Sequence, residues 1–300
     1  MGLVYIDGDT ISTSQEEVTV AGPTISRRQL SGVLRRLRRE KQMTLEAVAE
    51  RLEWSTAKVS NFETGRTARP SVTDVSALLR VYGIADGSRE DTAILSLVRQ
   101  SRQRGRWSRY GDVLTGEYAG LEEEASRIST YEPIVVPGLL QIPDYARLHM
   151  QAASAPRVDS EVERAVEARA QRQAGVLQGD GPELWVIVDE NALRRMVVDR
   201  TVMRDQIDHL IAVSEDLTNA VTIQVLPVAT SFHSGLVGPF VILEYSDQDI
   251  APFVFLETDT DGLYLEHPEE VARYRRLFEQ AQSIALGPQD SVALMRGLIT

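Results

Sequence analysis

Between Met43 and Pro70 the chain reads MTLEAVAERLEWSTAKVSNFETGRTARP, and no other stretch constrains the fold as much. Leu45, Val48, Ala49 and Leu52 recur at helical intervals and form one apolar stripe. Thr44 precedes them as an N-cap, whose hydroxyl accepts from a backbone N–H that the first turn leaves unpaired. Glu53 and Trp54 form a turn. Ser55 then caps a second helix with Val59 and Phe62 on its inner side. Ala49 is small where two helices must approach closely. Gly65 ends the second helix because it tolerates positive φ, and Pro70 stops the segment. Ser71-x-x-Asp74 is a capping-box-like start for a further helix that buries Val75, Leu78, Leu79 and Tyr82.

Two short helices joined by a tight turn fit a helix-turn-helix unit, whose second helix offers its N-terminal side chains to the DNA major groove. Thr56, Ala57, Lys58, Ser60 and Asn61 fall on or beside the outer face, and Arg66, Thr67 and Arg69 follow as donors suited to phosphate. Such helix pairs also occur in all-α proteins that never touch DNA, so charge has to decide. From Arg27 to Arg69 there are eleven Lys and Arg against five Asp and Glu, in a chain of net charge −12. From Gly111 to Thr300 there are fourteen against thirty-one. A basic block in an acidic chain favours DNA, because cationic side chains gain affinity by releasing counterions condensed on the phosphates.

Residues 30–84 resemble the XRE family of helix-turn-helix domains, which includes the lambdoid phage repressors. The resemblance is carried by Thr44, Val48-Ala49, Leu52, Val59, Glu63, Gly65, Arg66, Pro70 and the segment from Leu78 to Gly83. It implies an all-α domain of about five helices. It also implies base contacts from Thr56, Ala57 and Asn61, and backbone contacts from Ser55, Lys58, Arg66 and Arg69, with Thr67 beside them. Asn61 is the best placed to read sequence, since its amide can pair bidentately with adenine. Leu45 stands where the family commonly has Gln, so a contact made by that Gln is not carried over.

Three hundred residues are enough for about two domains. There is no cysteine, which excludes disulfides, thiolate zinc sites and thiol nucleophiles and fits a cytoplasmic setting. No apolar run reaches the ~18–20 residues that span a bilayer. Residues 1–24 lack the basic and apolar regions of a signal peptide and read as a flexible leader. The division expected is therefore a leader over 1–24, a helix-turn-helix domain over 25–100, an Arg-rich linker over 101–111 and a second domain over 112–300. In the linker, Arg102, Arg104 and Arg106 are candidates for further phosphate contacts, while Trp107 and Tyr110 dock it.

Beyond the linker, residues 112–130 read as a helix containing Tyr118, Leu121, Ala125 and Ile128. YEPIVVP reads as a short strand or extended segment. ELWVIVD, VTIQVLP, FVILEY, FVFLET and LYLE read as strands among further helices. The fold expected is α+β or α/β, with a mixed, largely antiparallel sheet covered by helices. The short links from VTIQVLP to FVILEY and on to FVFLET predict antiparallel neighbours there.

Residues 107–300 resemble the C-terminal domain of an actinobacterial group of XRE regulators described as antitoxin-like. The matching motifs include Tyr131-Glu132, Pro137-Gly138-Leu139-Leu140-Gln141, Asp144-Tyr145-Ala146, Arg169-x-x-Arg172-Gln173, Asp189-Glu190-x-Ala192-Leu193-Arg194 and Gly238-Pro239-Phe240. The resemblance implies a domain that senses a small protein or a small molecule and alters DNA binding, with the partner encoded by a neighbouring gene.

Sequence offers no catalytic machinery. His149, His209, His233 and His267 are far apart and without metal-ligand spacing. There is no nucleophile elbow or phosphate-binding glycine loop, and Ser231, His233 and Ser234 merely share a loop. Glu122, Glu123 and Glu124 read as a solvated helix face. Arg169 and Arg172, one turn apart, are candidates for an ion-pair network with Asp189 and Glu190. The expectation is a DNA-binding regulator with no cofactor, metal or enzymatic activity. One recognition helix reads few base pairs, so a homodimer on a pseudo-palindromic double-stranded DNA operator follows, nucleoid-associated when bound. The alternative is an antitoxin-like protein that mainly neutralises a small partner and autoregulates its operon.

Overall fold

The computed structural model describes residues 23–67, 69–103, 107, 110, 116–152, 158–177, 181–195, 199–218, 220–230, 238–247, 250–257 and 262–299. Five helices come first: α1 (Pro23–Glu40), α2 (Leu45–Leu52), α3 (Thr56–Glu63), α4 (Val72–Val81) and α5 (Arg89–Ser101). Their starts follow one chemical rule. Thr44, Ser55, Ser71 and Ser88 each accept, through the side-chain oxygen, the N–H three residues on. Leu34, Val48, Val59, Val75, Leu78, Leu79 and Val98 form their shared core.

The second part runs α6 (Gly116–Glu123), β1 (Arg127–Glu132), α7 (Pro143–Gln151), α8 (Asp159–Val176), β2 (Glu183–Asp189), α9 (Glu190–Arg194), α10 (Arg200–Glu215), β3 (Val221–Leu226), β4 (Phe240–Glu244), β5 (Phe253–Glu257), β6 (Gly262–Leu265), α11 (Pro268–Ile284) and α12 (Pro288–Ile299). The strands form one mixed sheet in the order β3-β2-β1-β4-β5-β6. β1, β2 and β3 are parallel, and β4 joins β1 antiparallel. Alternation along each strand feeds two cores. Ile128, Leu184, Val186, Ile223 and Phe253 face one side, and Tyr131, Ile187, Ile242 and Val254 face the other, under α11. Such continuous apolar strands suit a sheet covered on both faces.

Two sequence expectations fail here. Within the described part of 112–130 the expected helix ends with α6 at Glu123, and Ile128 lies in β1. Tyr118, Leu121, Ala125 and Ile128 keep helical spacing, but RISTYE is rich in the β-formers Ile128, Thr130 and Tyr131 and is paired on both sides by β2 and β4. β3 and β4 are also not neighbours, because β2 and β1 lie between them. The directions are antiparallel as expected, but short links fix direction without fixing adjacency. The edge strand β3 is closed by α12 and the residues before it: Val225 N–H donates to Ser291 Oγ at 2.9 Å, and its carbonyl accepts from Leu286 N–H at 2.9 Å.

α1 belongs to both parts. Its later turns bury Leu30, Val33, Leu34 and Leu37 among the first helices, while Ile25 packs in the core of the second domain. The Arg28 guanidinium lies 4.5 Å from the centre of the Phe253 ring and pairs with Glu266 at 2.5 Å. Gln29 Nε2 donates to Asp247 at 2.6 Å. A single 18-residue helix thus joins the two cores.

Candidate nucleic-acid interface

The turn between α2 and α3 is made by Glu53, which takes a left-handed conformation at φ 54°. Its N–H, and that of Trp54 at 2.9 Å, close back on the Ala49 carbonyl. Ala49 is 4 % exposed, and the absence of a larger side chain lets α3 cross closely over α2. Val59 and Phe62 then face inward, with Trp54 stacked on Phe62 at 5.9 Å between ring centres.

This places the predicted residues as follows. Ala57 and Asn61 are one turn apart on α3 and both exposed, with half-buried Thr56 beside them. Ser55 is exposed and uses its oxygen as the cap acceptor for Lys58 N–H at 3.2 Å. Lys58 is engaged within the domain. Its ammonium donates to Asp74 of α4 at 3.0 Å and sits 3.7 Å from the centre of the Trp54 ring. Arg66 and Arg69 are exposed in the segment that leaves α3, and Thr67 N–H turns back to the Asn61 carbonyl at 3.3 Å. Gly65 has φ 72°, the conformation that this exit requires. Arg102 is exposed at the end of α5, a helix that packs on α1 and α4. Arg104 and Arg106 lie outside the described residues.

The sequence reading did not find what holds α3 at its angle. Glu63 is 3 % exposed. Arg38 of α1 grips its two carboxylate oxygens at 2.7 and 2.8 Å, and also donates to the Met43 carbonyl at 2.7 Å. Tyr82 Oη reaches the same carboxylate at 3.4 Å. Hydrogen bonding to Glu63 raises the Arg38 pKa against the opposing effect of burial. Burial and the Glu63 charge raise that of Tyr82. The pair, with Tyr82, ties α1, α3 and α4 together. The signal was legible: Glu63 follows Val59 and Phe62 on the inner face, and a buried acid requires a partner.

Residues 29–92 match the model of a helix-turn-helix domain, and residues 115–297 match a domain of unknown function, DUF5753. The second match spans more than half of the chain. The chain belongs to the DUF5753 family. No curated protein and no solved structure matches it. It is thus a helix-turn-helix regulator by its first domain and a DUF5753 protein by its second.

Within the DUF5753 domain the polar residues pair differently from expectation. Arg172 binds Glu122, through two bonds of 2.7 Å, rather than Asp189 or Glu190. Glu122 is 2 % exposed, so it is not part of a solvated acidic face. The reason is that α6 is short and docks this face onto α8. Asp189 instead caps α9 through Asn191 N–H at 2.8 Å, and Glu190 takes Arg194 at 2.5 Å and Val228 N–H at 2.8 Å. Arg169 donates to Gln141. Trp107 docks through Glu123 at 2.7 Å, and Tyr110 through Glu167 at 3.0 Å. Ser231, His233 and Ser234 lie outside the described residues. Among the described residues no group of His, Asp and Glu has the geometry to hold a metal, and no helix is long and apolar enough to cross a membrane.

Proposed function

We propose that this chain is a sequence-specific transcription regulator of the XRE type, in which α3 reads the major groove. The reading is carried by the outer face of α3. Ala57 and Asn61 stand exposed on a helix whose inner side is fixed by the buried Arg38–Glu63 pair, and Arg66 and Arg69 follow it. Thr56, Ala57 and Asn61 contact bases. Ser55, Arg66, Thr67 and Arg69 contact the backbone, joined by Lys58 when it exchanges Asp74 for phosphate. The chain works as a cytoplasmic homodimer on half-sites one helical turn apart, since one short helix cannot supply enough specificity. The DUF5753 domain supplies the signal or the dimer contact, as in the actinobacterial regulators it resembles, and the protein is a binding module rather than an enzyme.

Selection of bound duplexes from a random pool tests this. The expected product is a two-fold symmetric sequence. On it, Arg66→Ala weakens binding to all sites alike and lowers the slope of log K against log salt by about 1. A pool that shows no enrichment would sink the proposal. The surplus of acidic residues in the second domain favours one further reading, an antitoxin-like protein that holds a small basic partner encoded beside it. Co-purification with that neighbour tests it, and absence of a complex counts against it.

A further inference from the structure

The sheet changes from parallel to antiparallel pairing at β1. The strand order also reverses there, with β2 and β3 on one side of β1 and β4 to β6 on the other, and in open α/β sheets ligands sit outside the carboxyl ends of the strands at such a reversal. Here that end carries polar groups that the fold itself does not use. Thr130, Val241 and Phe255 form one row across β1, β4 and β5. β1 and β5 run in the same direction, so Glu132 and Glu257, each two residues further on, occupy the next row on the same face. With strands ~4.8 Å apart, their backbones are separated by about 10 Å, a gap that two carboxylates can close around one small cation.

Thr130 is 3 % exposed, and its Oγ1 has no hydrogen-bond partner. Among the described residues no hydrogen bond reaches the Glu132 carboxyl either. A buried hydroxyl without a partner is costly and calls for one, and the half-buried Glu132 carboxyl stands in the next row on the same face. Other charges surround this end of the sheet, here termed the cleft. Arg169 comes from α8, where its guanidinium donates to Gln141 and packs against Gly138. From α7 come Tyr145, near Glu132, and His149, exposed at the rim towards Arg169 and Glu257. Glu257 is exposed at the mouth and also lies near the Arg172–Glu122 pair.

We propose that this cleft binds a primary amine, its ammonium set between Glu132 and Glu257 with the Thr130 hydroxyl beneath it. Three N–H donors on one positive charge match three acceptors. A divalent metal would bring two charges against Arg169 where an ammonium brings one, and an anion would face both carboxylates. Burial and the Glu257 charge push the Glu132 carboxyl up to about 8, with Arg169 opposing, so the empty cleft holds a proton where the cation belongs. Binding releases that proton. Affinity therefore rises with pH, by about twentyfold between pH 6.5 and 8.5 for a group titrating near 8. This deepens the sensing role proposed for the second domain and rests on that reading only for the effect on DNA.

Calorimetry on the full chain with 1-propylamine tests the site, with 1-propanol as the neutral control. Nα-acetyl-lysine amide separates a peptide-borne ammonium from a free amine. The expected result is saturable amine binding with proton release, no propanol binding, at least tenfold loss in Glu132→Gln and several-fold loss in Thr130→Val. Circular dichroism confirms that both variants fold. No saturable binding of either amine at pH 8.5, or wild-type affinity retained in both Glu132→Gln and Glu257→Gln, overturns the proposal. Operator affinity is read separately. An amine that binds without changing it keeps the site and removes the sensing role, whereas loss of operator binding in the unliganded wild type strikes only at the DNA reading.

Discussion

The helix-turn-helix domain and the DUF5753 domain treat buried charge in opposite ways. In the first, Glu63 is saturated by Arg38 and Tyr82, and Ala57 and Asn61 are exposed on α3; its buried atoms without a partner among the described residues, on Arg27, Arg28 and Gln29, sit on the part of α1 that enters the second domain. In the second, the Arg172–Glu122 pair is closed in the same bidentate manner, yet among the described residues no hydrogen bond reaches the side chains of Thr130 and Glu132, on the sheet face beneath that layer. A closed polar core makes a rigid platform for a surface. An open one stores unmet hydrogen bonding for something that arrives. The difference assigns presentation to one domain and reception to the other, with α1 packed into both cores.

Attacking the shared helix has the largest expected effect. Ile25→Ala removes a side chain that is 2 % exposed and should destabilise by about 2–4 kcal/mol, with the loss falling on the second domain. Hydrogen exchange resolves which domain loosens, and protection lost only in α2 to α5 would contradict the assignment of Ile25 to the second core. Breaking the closed core comes next. Glu63→Ala takes the carboxylate from the half-buried Arg38 guanidinium and leaves a void among α1, α3 and α4, and should cost about 2–3 kcal/mol of stability in denaturant unfolding. A cost under 1 kcal/mol would show that the pair does not set the angle of α3.

A smaller effect sharpens the open side of the comparison. Glu132 holds its proton more tightly folded than unfolded, because burial and Glu257 raise its pKa to about 8. Its contribution to stability is therefore complete below the ordinary carboxylate range and is lost as pH rises through 8. Glu132→Gln cannot titrate. The melting temperature of the wild type should fall relative to that of the variant between pH 5 and 8.5. A difference that stays constant across this window would show that Glu132 is already satisfied.

The first domain was far more legible in sequence than the second. Its elements are short, capped by Thr or Ser, and separated by residues whose φ is constrained, so each boundary carries a local chemical mark. Glu63 was visible as an acid on an apolar face, but its partner Arg38 lies 25 residues away, and periodicity does not identify partners. In the second domain the strands ELWVIVD and FVFLET were plain, while strand order was not, because β3 and β4 are joined across two intervening strands. RISTYE was lost to a helical pattern whose spacing it happens to continue. The pairing of Arg172 with Glu122 depends on how α6 docks on α8, which no spacing along the chain encodes. The row formed by Thr130 and Glu132 appears only once β1 is known to be a strand.

Specificity at Asn61 tests the central claim most directly. The affinity of the full chain is measured by fluorescence anisotropy, at one salt concentration, for a selected duplex and for the same bases scrambled. The wild type should prefer the selected duplex strongly. Asn61→Ala should lose about 1–3 kcal/mol on it, with relaxed preference at one base pair per half-site and unchanged affinity for the scrambled duplex. Equal losses on both duplexes would contradict base reading by α3, because a residue that only supports the fold or touches phosphate weakens every sequence alike.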